Sequence, residues 1–323
     1  MKKKVLITGG LGLIGKSLTK ILLNNYKVLI IDKQSQILRH KSLIKYYKSK
    51  DITFISCNIL NKKKLVRMFK KVDYVVHLAA MLGVKNTEEN KDLCWRVNTE
   101  GTQNVVDACK VNKVKKLIFS SSSEVYGEQS TKKKILENNK TLGINIYSLS
   151  KIAAENYIKI KLLKSKTKYT ILRLFNTYGE GQVAQFFITK LCYCSVYKKK
   201  FIINGNGNQL RSYGYCDDVA LGIKSCLEKK ISNGKTYNLG NSKEVYSLKN
   251  VVKLVSKITK RKLKIIYDYS FNKGDRFKNR EIYQRICSTQ KARREIDYNP
   301  EISLNNGLKR VLNQKKIFKD WAK

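Results

Sequence analysis

Apolar positions fall into two rhythms along this chain. Short, largely apolar runs at 5–7, 28–31, 52–56, 74–77 and 116–120 have the length of strands, the first of them read as buried. Between them, apolar residues recur three and four apart, as in Leu13, Ile14, Leu18, Ile21 and Leu22, in a Lys- and Tyr-rich stretch at 37–47, and over about 92–111. Strand and amphipathic helix in alternation predict an α/β fold, a doubly wound parallel sheet. From Gly179 on the elements become shorter and mixed: a helix over 185–197, a strand over 201–203, and a final helix over about 304–321. The helix at 92–111 carries Asn98, Thr99, Gly101 and Thr102 on its middle turns. Glycine and threonine cost helix stability, which predicts a close helix–sheet contact there, with Asn98 aimed at something buried.

Composition changes this picture little. The 323 residues suffice for one large domain or two, and 42% apolar content is ordinary for a globular protein. No apolar run approaches the ~20 residues of a membrane span. Met1-Lys2-Lys3-Lys4 leads straight into the first strand, so no cleavable signal peptide is expected and the expected compartment is the cytoplasm. The eight cysteines are scattered, and Cys192-Tyr193-Cys194 lacks the partner cluster of a zinc site, so reduced core cysteines and no metal are expected. The formal charge of +43 raises nucleic acid as a partner. Most of the excess is lysine, spread along the chain beside abundant Asn, Ile and Tyr and a single proline, Pro300. That pattern fits AT-rich coding bias better than a nucleic-acid site. Helix faces such as Lys62-Lys63-Lys64 and Lys198-Lys199-Lys200 then become solvated surface, and the charge helps attract a small anion.

Candidate chemistry begins at Val5-Leu6-Ile7-Thr8-Gly9-Gly10-Leu11-Gly12-Leu13-Ile14-Gly15. A strand enters a glycine-rich turn and leaves as a helix, which a bound pyrophosphate requires for a tight turn, close backbone approach and close helix–strand packing. A glycine triplet alone is equally an ordinary tight turn. Asp32 adds context: it ends the second strand seventeen residues beyond Gly15, where a carboxylate accepts the adenosine ribose hydroxyls and opposes a 2′-phosphate. NAD is therefore expected over NADP, with Lys33 beside Asp32 acting the other way. Asn58, after the third strand, could address the adenine edge, and Leu78, Ala79 and Ala80 leave room for a cofactor to approach. His77 ends an apolar run and reads as a core residue rather than a base.

The fifth strand opens into Ser121-Ser122-Ser123-Glu124-Val125-Tyr126-Gly127, and Tyr147-Ser148-Leu149-Ser150-Lys151 begins a helix twenty residues later. Tyr and Lys four apart share one helix face, so an ammonium can sit beside a phenol. A neighbouring cation favours the phenolate, converting a poor base into a usable one, and Ser122 could share a hydrogen bond with a reacting hydroxyl. Such a pair alone is common on surfaces; its place after a strand-ending serine run gives it weight.

Together these residues resemble the short-chain dehydrogenase/reductase superfamily in its extended branch of NAD-dependent nucleotide-sugar epimerases and dehydratases. The resemblance covers nearly the whole chain: 8–15, Asp32, 77–80, 98–104, 120–127 and 147–151, then 172–179, 205–213, 217–219 and 237–240. It implies an NAD-binding Rossmann domain over 1–178, to which about 213–243 return, and a smaller C-terminal mixed α/β substrate-binding lobe over 179–323. It implies NAD held by Gly9, Gly12, Leu13, Ile14, Gly15, Asp32, Asn58, Ile59, Leu78, Ala79, Ala80, Asn98, Tyr147 and Lys151. Ser122, Tyr147, Lys151 and Glu124 become the catalytic candidates. Ser122, Ser123, Asn176, Arg211, Arg285 and Arg276 become candidates for holding a nucleotide sugar, Arg211 gripping its diphosphate bidentately. The implied activity is 4-epimerisation through a 4-keto sugar by a homodimer. A nucleotide-sugar decarboxylase or 4,6-dehydratase using Glu124 is the alternative, and a non-catalytic nucleotide-sensing or nucleic-acid-binding protein is the rival of a different class. The chain departs from the family in lacking prolines between Gly127 and Tyr147 and after Gly179. Asn58 stands where an acid is common, and Ser288 where Asp is frequent.

Overall fold

A computed structural model describes residues 2–33, 35–36, 50–129, 133–183, 185–271, 278 and 281–314. The first half runs β1 (Lys3–Thr8), α1 (Leu13–Leu22), β2 (Tyr26–Asp32), β3 (Ile52–Ser56), α2 (Lys62–Met68), β4 (Tyr74–His77), α3 (Val84–Glu89), α4 (Lys91–Val111) and β5 (Lys116–Ser122). A 3-10 turn (Ser123–Tyr126), α5 (Ile146–Leu162) and β6 (Lys168–Leu174) follow. The second half contributes β7 (Thr177–Tyr178), α6 (Phe187–Val196), β8 (Phe201–Asn204), β9 (Leu210–Ser212), β10 (Gly214–Tyr215), α7 (Cys216–Glu228) and β11 (Lys235–Leu239). It ends with β12 (Val245–Ser247), α8 (Leu248–Thr259), β13 (Ile265–Asp268), β14 (Gln284–Arg285), α9 (Gln290–Ile296) and α10 (Leu304–Asn313).

Seven strands form one sheet in the order β11-β6-β5-β4-β1-β2-β3, every neighbouring pair parallel. The chain winds outward from β1 in both directions, so a crevice opens between β1 and β4 at their carboxyl ends. Alternate residues of each strand feed two cores. Val5, Ile7, Val28, Ile30 and Val76 face one core together with Leu18 of α1 and Val219 and Ile223 of α7. Leu6, Leu29, Ile31, Val75 and Phe119 face the other with Val105 of α4 and Ile158 of α5. Burial on both faces is why these strands read as continuous apolar runs. On α4, Gly101 lies directly against Ile59, in the turn after β3, so the close contact expected with the sheet is made with a turn instead.

The remaining elements form small sheets, β12-β9-β14, β13-β8 and β10-β7, around a third core that includes Leu191, Phe201, Val251 and Leu308. β11 leaves this region to form the edge of the large sheet beside β6. Three expectations need adjustment. The helix expected over 185–197 is Phe187–Val196. Lys198-Lys199-Lys200 is exposed as expected but lies in the turn after α6, where Lys198 takes a left-handed φ of 54°, rather than on a helix face. The final helix is described to Asn313, and 315–323, like the stretch 37–47, lies outside the described residues. Among the described residues, no helix is long and apolar enough to cross a membrane.

Candidate functional site

The carboxyl ends of the central strands and the facing lobe enclose a cavity of about 1350 Å³. Its floor is the turn between β1 and α1. Gly9 takes φ +68°, and a Cβ there would fall 2.7 Å from the Ala79 amide nitrogen, so only glycine lets the turn meet the end of β4. A Cβ on Gly15 would fall 2.5 Å from the Gly10 carbonyl, which seats α1 tightly on the turn. Gly12 is the extended N-cap of α1, with no side chain capping it, so the helix opens on backbone N–H groups alone.

Asp32, at the end of β2, lines the same cavity. Its carboxylate accepts from the Leu11 and Lys33 backbone N–H groups at 3.1 and 2.9 Å. Burial raises its pKa, and those two hydrogen bonds oppose the rise. Leu13, Ile14, Asn58, Ile59, Leu78, Ala79 and Ala80 complete this end of the wall. A phosphate-approachable turn, an oriented carboxylate and apolar walls are the donor set and shape a dinucleotide needs, so the residues present fit NAD. Asn98 stands apart. It is buried behind the wall, donating to the Met81 carbonyl at 3.1 Å and to Ser150 Oγ at 3.0 Å and accepting from the Met81 N–H at 2.8 Å. His77 is likewise internal, hydrogen-bonded to Thr8 and Thr102, and burial lowers its pKa to about 3.

The catalytic candidates lie where β5 meets α5. Asn145 caps α5 with a reciprocal box, accepting from the Ser148 N–H while Ser148 Oγ accepts from the Asn145 N–H. That cap fixes the first turn, which carries Tyr147 and, one turn on, Lys151. Lys151 Nζ donates to the Ser120 carbonyl at 2.8 Å and stands 6.0 Å from the Tyr147 ring centroid. Burial lowers Lys151 to about 8, with Cys94 and Glu155 opposing. Burial also raises the Tyr147 phenol above its ordinary value near 10, while its interaction with the Ser122 hydroxyl pulls it down. In the protein by itself burial is the largest influence on the phenol, and the Ser122 hydroxyl is the strongest group opposing it, ahead of Arg285.

Glu124 bridges two parts of the molecule: Oε2 accepts from Asn145 Nδ2 at 2.9 Å, and Oε1 accepts from Arg285 Nη1 at 2.9 Å. Among the described residues Arg285 Nε and Nη2 are buried without a hydrogen-bond partner, as is Asn176 Oδ1, and both residues line the cavity. Arg211 lines it too, donating from Nη2 to Glu281 Oε1 at 2.8 Å. The structure thus gathers every described candidate except Asn98 around one cavity, Ser122 and Ser123 included. Arg276 lies outside the described residues. Sequence reasoning passed over Asn145, whose Asn-x-x-Ser spacing is a capping signal, and Glu281, which no local pattern marks.

Residues 5–240 match the model of the NAD dependent epimerase/dehydratase family. A provisionally named UDP-glucose 4-epimerase of Methanocaldococcus jannaschii is 31% identical over 96% of this chain and 97% of its own. The UDP-N-acetyl-alpha-D-glucosaminuronate decarboxylase of Bacillus cytotoxicus is 30% identical over 97% of each chain. Among solved structures, UDP-glucuronic acid 4-epimerase from Bacillus cereus, in complex with UDP-glucuronic acid and NAD, superposes with a TM-score of 0.87. It is 28% identical, covering 98% of this chain and 99% of that one.

Proposed function

Because the chain belongs to the NAD-dependent epimerase/dehydratase family, we propose that it is a nucleotide-sugar 4-epimerase whose site residues are those gathered around the cavity. The observation that carries this is the convergence of Tyr147, Lys151 and Ser122 on the same cavity as the glycine turn and Asp32. At about 1350 Å³ it exceeds the ~300–1,000 Å³ of a single-ligand site, which suits a dinucleotide and a sugar nucleotide side by side. Residues 1–178 with 213–243 form the cofactor-binding part in this reading, and the rest of 179–323 supplies the substrate lobe.

NAD, when bound, supplies reversible hydride acceptance. The chain's own residues then manage the proton and the pose. Tyr147 accepts the proton of the sugar 4-hydroxyl and later returns it, and Ser122 shares a hydrogen bond with that hydroxyl. Lys151, charged below pH about 8, makes the phenolate less costly as the proton moves. Arg211, Arg285 and Asn176 hold the diphosphate, which leaves the sugar ring free to present its other face once C4 is oxidised.

A second reading is a decarboxylase sharing the 4-keto intermediate. It is favoured by the Glu124 carboxylate on the cavity wall and by the decarboxylase relative. Two finer statements belong to the proposal. Leu149, Ile160 and Leu163 lie along one side of α5 at 45, 78 and 75% exposure, which supports a homodimer through that helix. Eight free, buried cysteines support a reducing compartment such as the cytoplasm. Incubating the protein with NAD and a panel of UDP-, GDP- and dTDP-sugars, and following products by NMR, tests the function. Inversion at C4 is expected, and an unchanged panel would contradict it.

A further inference from the structure

Three consecutive serines of β5 each meet one of three side chains spaced four apart on α5. The Ser120 carbonyl accepts from Lys151 at 2.8 Å, Ser121 Oγ donates to Glu155 Oε1 at 2.5 Å, and Ser122 Oγ faces the Tyr147 phenol. Glu155 is 2% exposed and is gripped from β6 by Arg173, whose Nε and Nη2 donate to its two oxygens at 3.0 and 2.7 Å. Arg173 is itself clamped, stacking 4.8 Å from the Tyr126 ring centroid and donating to the Glu137 carbonyl at 3.1 Å.

We infer that Glu155 is a positioning residue for the reaction. Its carboxylate locks α5 to β5 and β6 in the one register that sets Tyr147 against Ser122 and Lys151 against Ser120. The inference rests on the proposed roles of Tyr147 and Lys151. A buried, bidentate Arg–carboxylate pair is a poor source of net stability, since apolar residues of similar volume often serve as well. It is a good source of register, because the planar fork fits one geometry only.

The lock also has an electrostatic side. Facing Lys151 are Cys94 from α4, Tyr147 and Glu155 from α5, His77 from β4, and the Ser120 carbonyl and Phe119 ring from β5. Facing Glu155 are Arg173 from β6, Lys159 of α5 at 3.8 Å, Tyr126 from the 3-10 turn, and Ser121. Of these groups Glu155 is the buried carboxylate, and it supports the charge on Lys151 against burial. Neutralising it removes the carboxylate one helical turn from Lys151 and leaves Glu137 as the carboxylate facing the Arg173 charge.

The test is Glu155→Gln, with Glu155→Asp, the double variant Glu155→Gln/Arg173→Met, and Tyr147→Phe alongside. Each is assayed for kcat, KM and pH profile on the sugar nucleotide that wild type turns over. Glu155→Gln is expected to bind NAD and substrate within a few-fold while kcat falls about 10- to 100-fold, since small misplacements of catalytic groups cost that much. Its alkaline limb should move to lower pH, and the double variant, with the charges rebalanced, should move it back. Glu155→Asp keeps the charge but shortens the reach, so its limb should stay while kcat falls. Should Glu155→Gln not fold, the Asp variant decides alone. Wild-type kcat in the Asp variant, an unmoved limb in the Gln variant, or a loss confined to KM overturns the inference. An inactive Tyr147→Phe beside an unaltered Glu155→Gln overturns the inference alone; an active Tyr147→Phe overturns the functional reading beneath it.

Discussion

Glu124 and Arg285 meet at 2.9 Å across 161 residues of chain, tying the turn after β5 to β14 in the facing lobe. The same carboxylate accepts from Asn145, the cap of the helix that carries Tyr147. One acidic side chain thus joins the strand end, the helix of Tyr147 and an arginine on the opposite wall of the cavity.

Glu124→Gln keeps an acceptor for one of its two donors, sets an NH2 against the other, and removes the charge opposite an arginine that is 3% exposed. A lower melting temperature is expected, equivalent to about 1–3 kcal/mol, the usual worth of a charged hydrogen bond. Epimerisation should persist at no less than about a tenth of wild type, because an interaction outside the transition state acts mainly on KM. Carbon dioxide released from UDP-glucuronate by wild type and lost in Glu124→Gln would promote the decarboxylase instead.

Cofactor choice follows from Asp32. Its carboxylate is pinned by two backbone N–H groups and cannot turn away from a 2′-phosphate without losing them. Calorimetric titration should find NAD bound at least about tenfold more tightly than NADP, the worth of roughly 1.4 kcal/mol of repulsion. Asp32→Asn should narrow that gap; equal affinities in wild type would contradict the assignment.

In the proposed mechanism the alkaline side of the pH profile is set by Lys151. An ordinary lysine titrates near ~10.4, but burial lowers this one to about 8. The protonated ammonium is the useful form, so it is present below that value and lost as pH rises through it. kcat should therefore begin to fall above pH about 8, and Lys151→Met should abolish the limb along with most of the activity. A flat profile up to about pH 10 would remove Lys151 from proton management.

Tyr147→Phe deletes one hydroxyl while leaving the ring packed. kcat is expected to fall by ~10²–10⁴-fold, with NAD and substrate binding within a few-fold. A mutant with near-wild-type kcat would take Tyr147 out of the mechanism.

Much of the fold was legible because burial on both faces leaves an unbroken apolar signature. The apolar runs at 5–7 and 28–31 fall inside β1 and β2, whose residues there are buried. The two- and three-residue strands of the lobe carry no such signature, since their pairing depends on distant partners. At the site, residues whose roles need only backbone and local spacing, such as Gly9, Asp32 and the Tyr147–Lys151 pair, could be named from the sequence. Pairings such as Arg211 with Glu281 and Arg173 with Glu155 could not, because they form only when separate elements come together. Asn98 shows the remaining gap. A polar residue on a buried helix face was foreseeable, but whether it points at a ligand or at the Met81 backbone is decided by the loop after β4.

The central claim is that hydride leaves and returns to the same carbon while Tyr147 moves the proton. The most direct measurement is NMR of the protein with NAD and a panel of nucleotide hexoses deuterated at C4. One member should be converted to its 4-epimer with deuterium retained at C4 and C6 untouched. A 4-keto-6-deoxy or decarboxylated product, or epimerisation with the C4 label lost to solvent, would contradict the account.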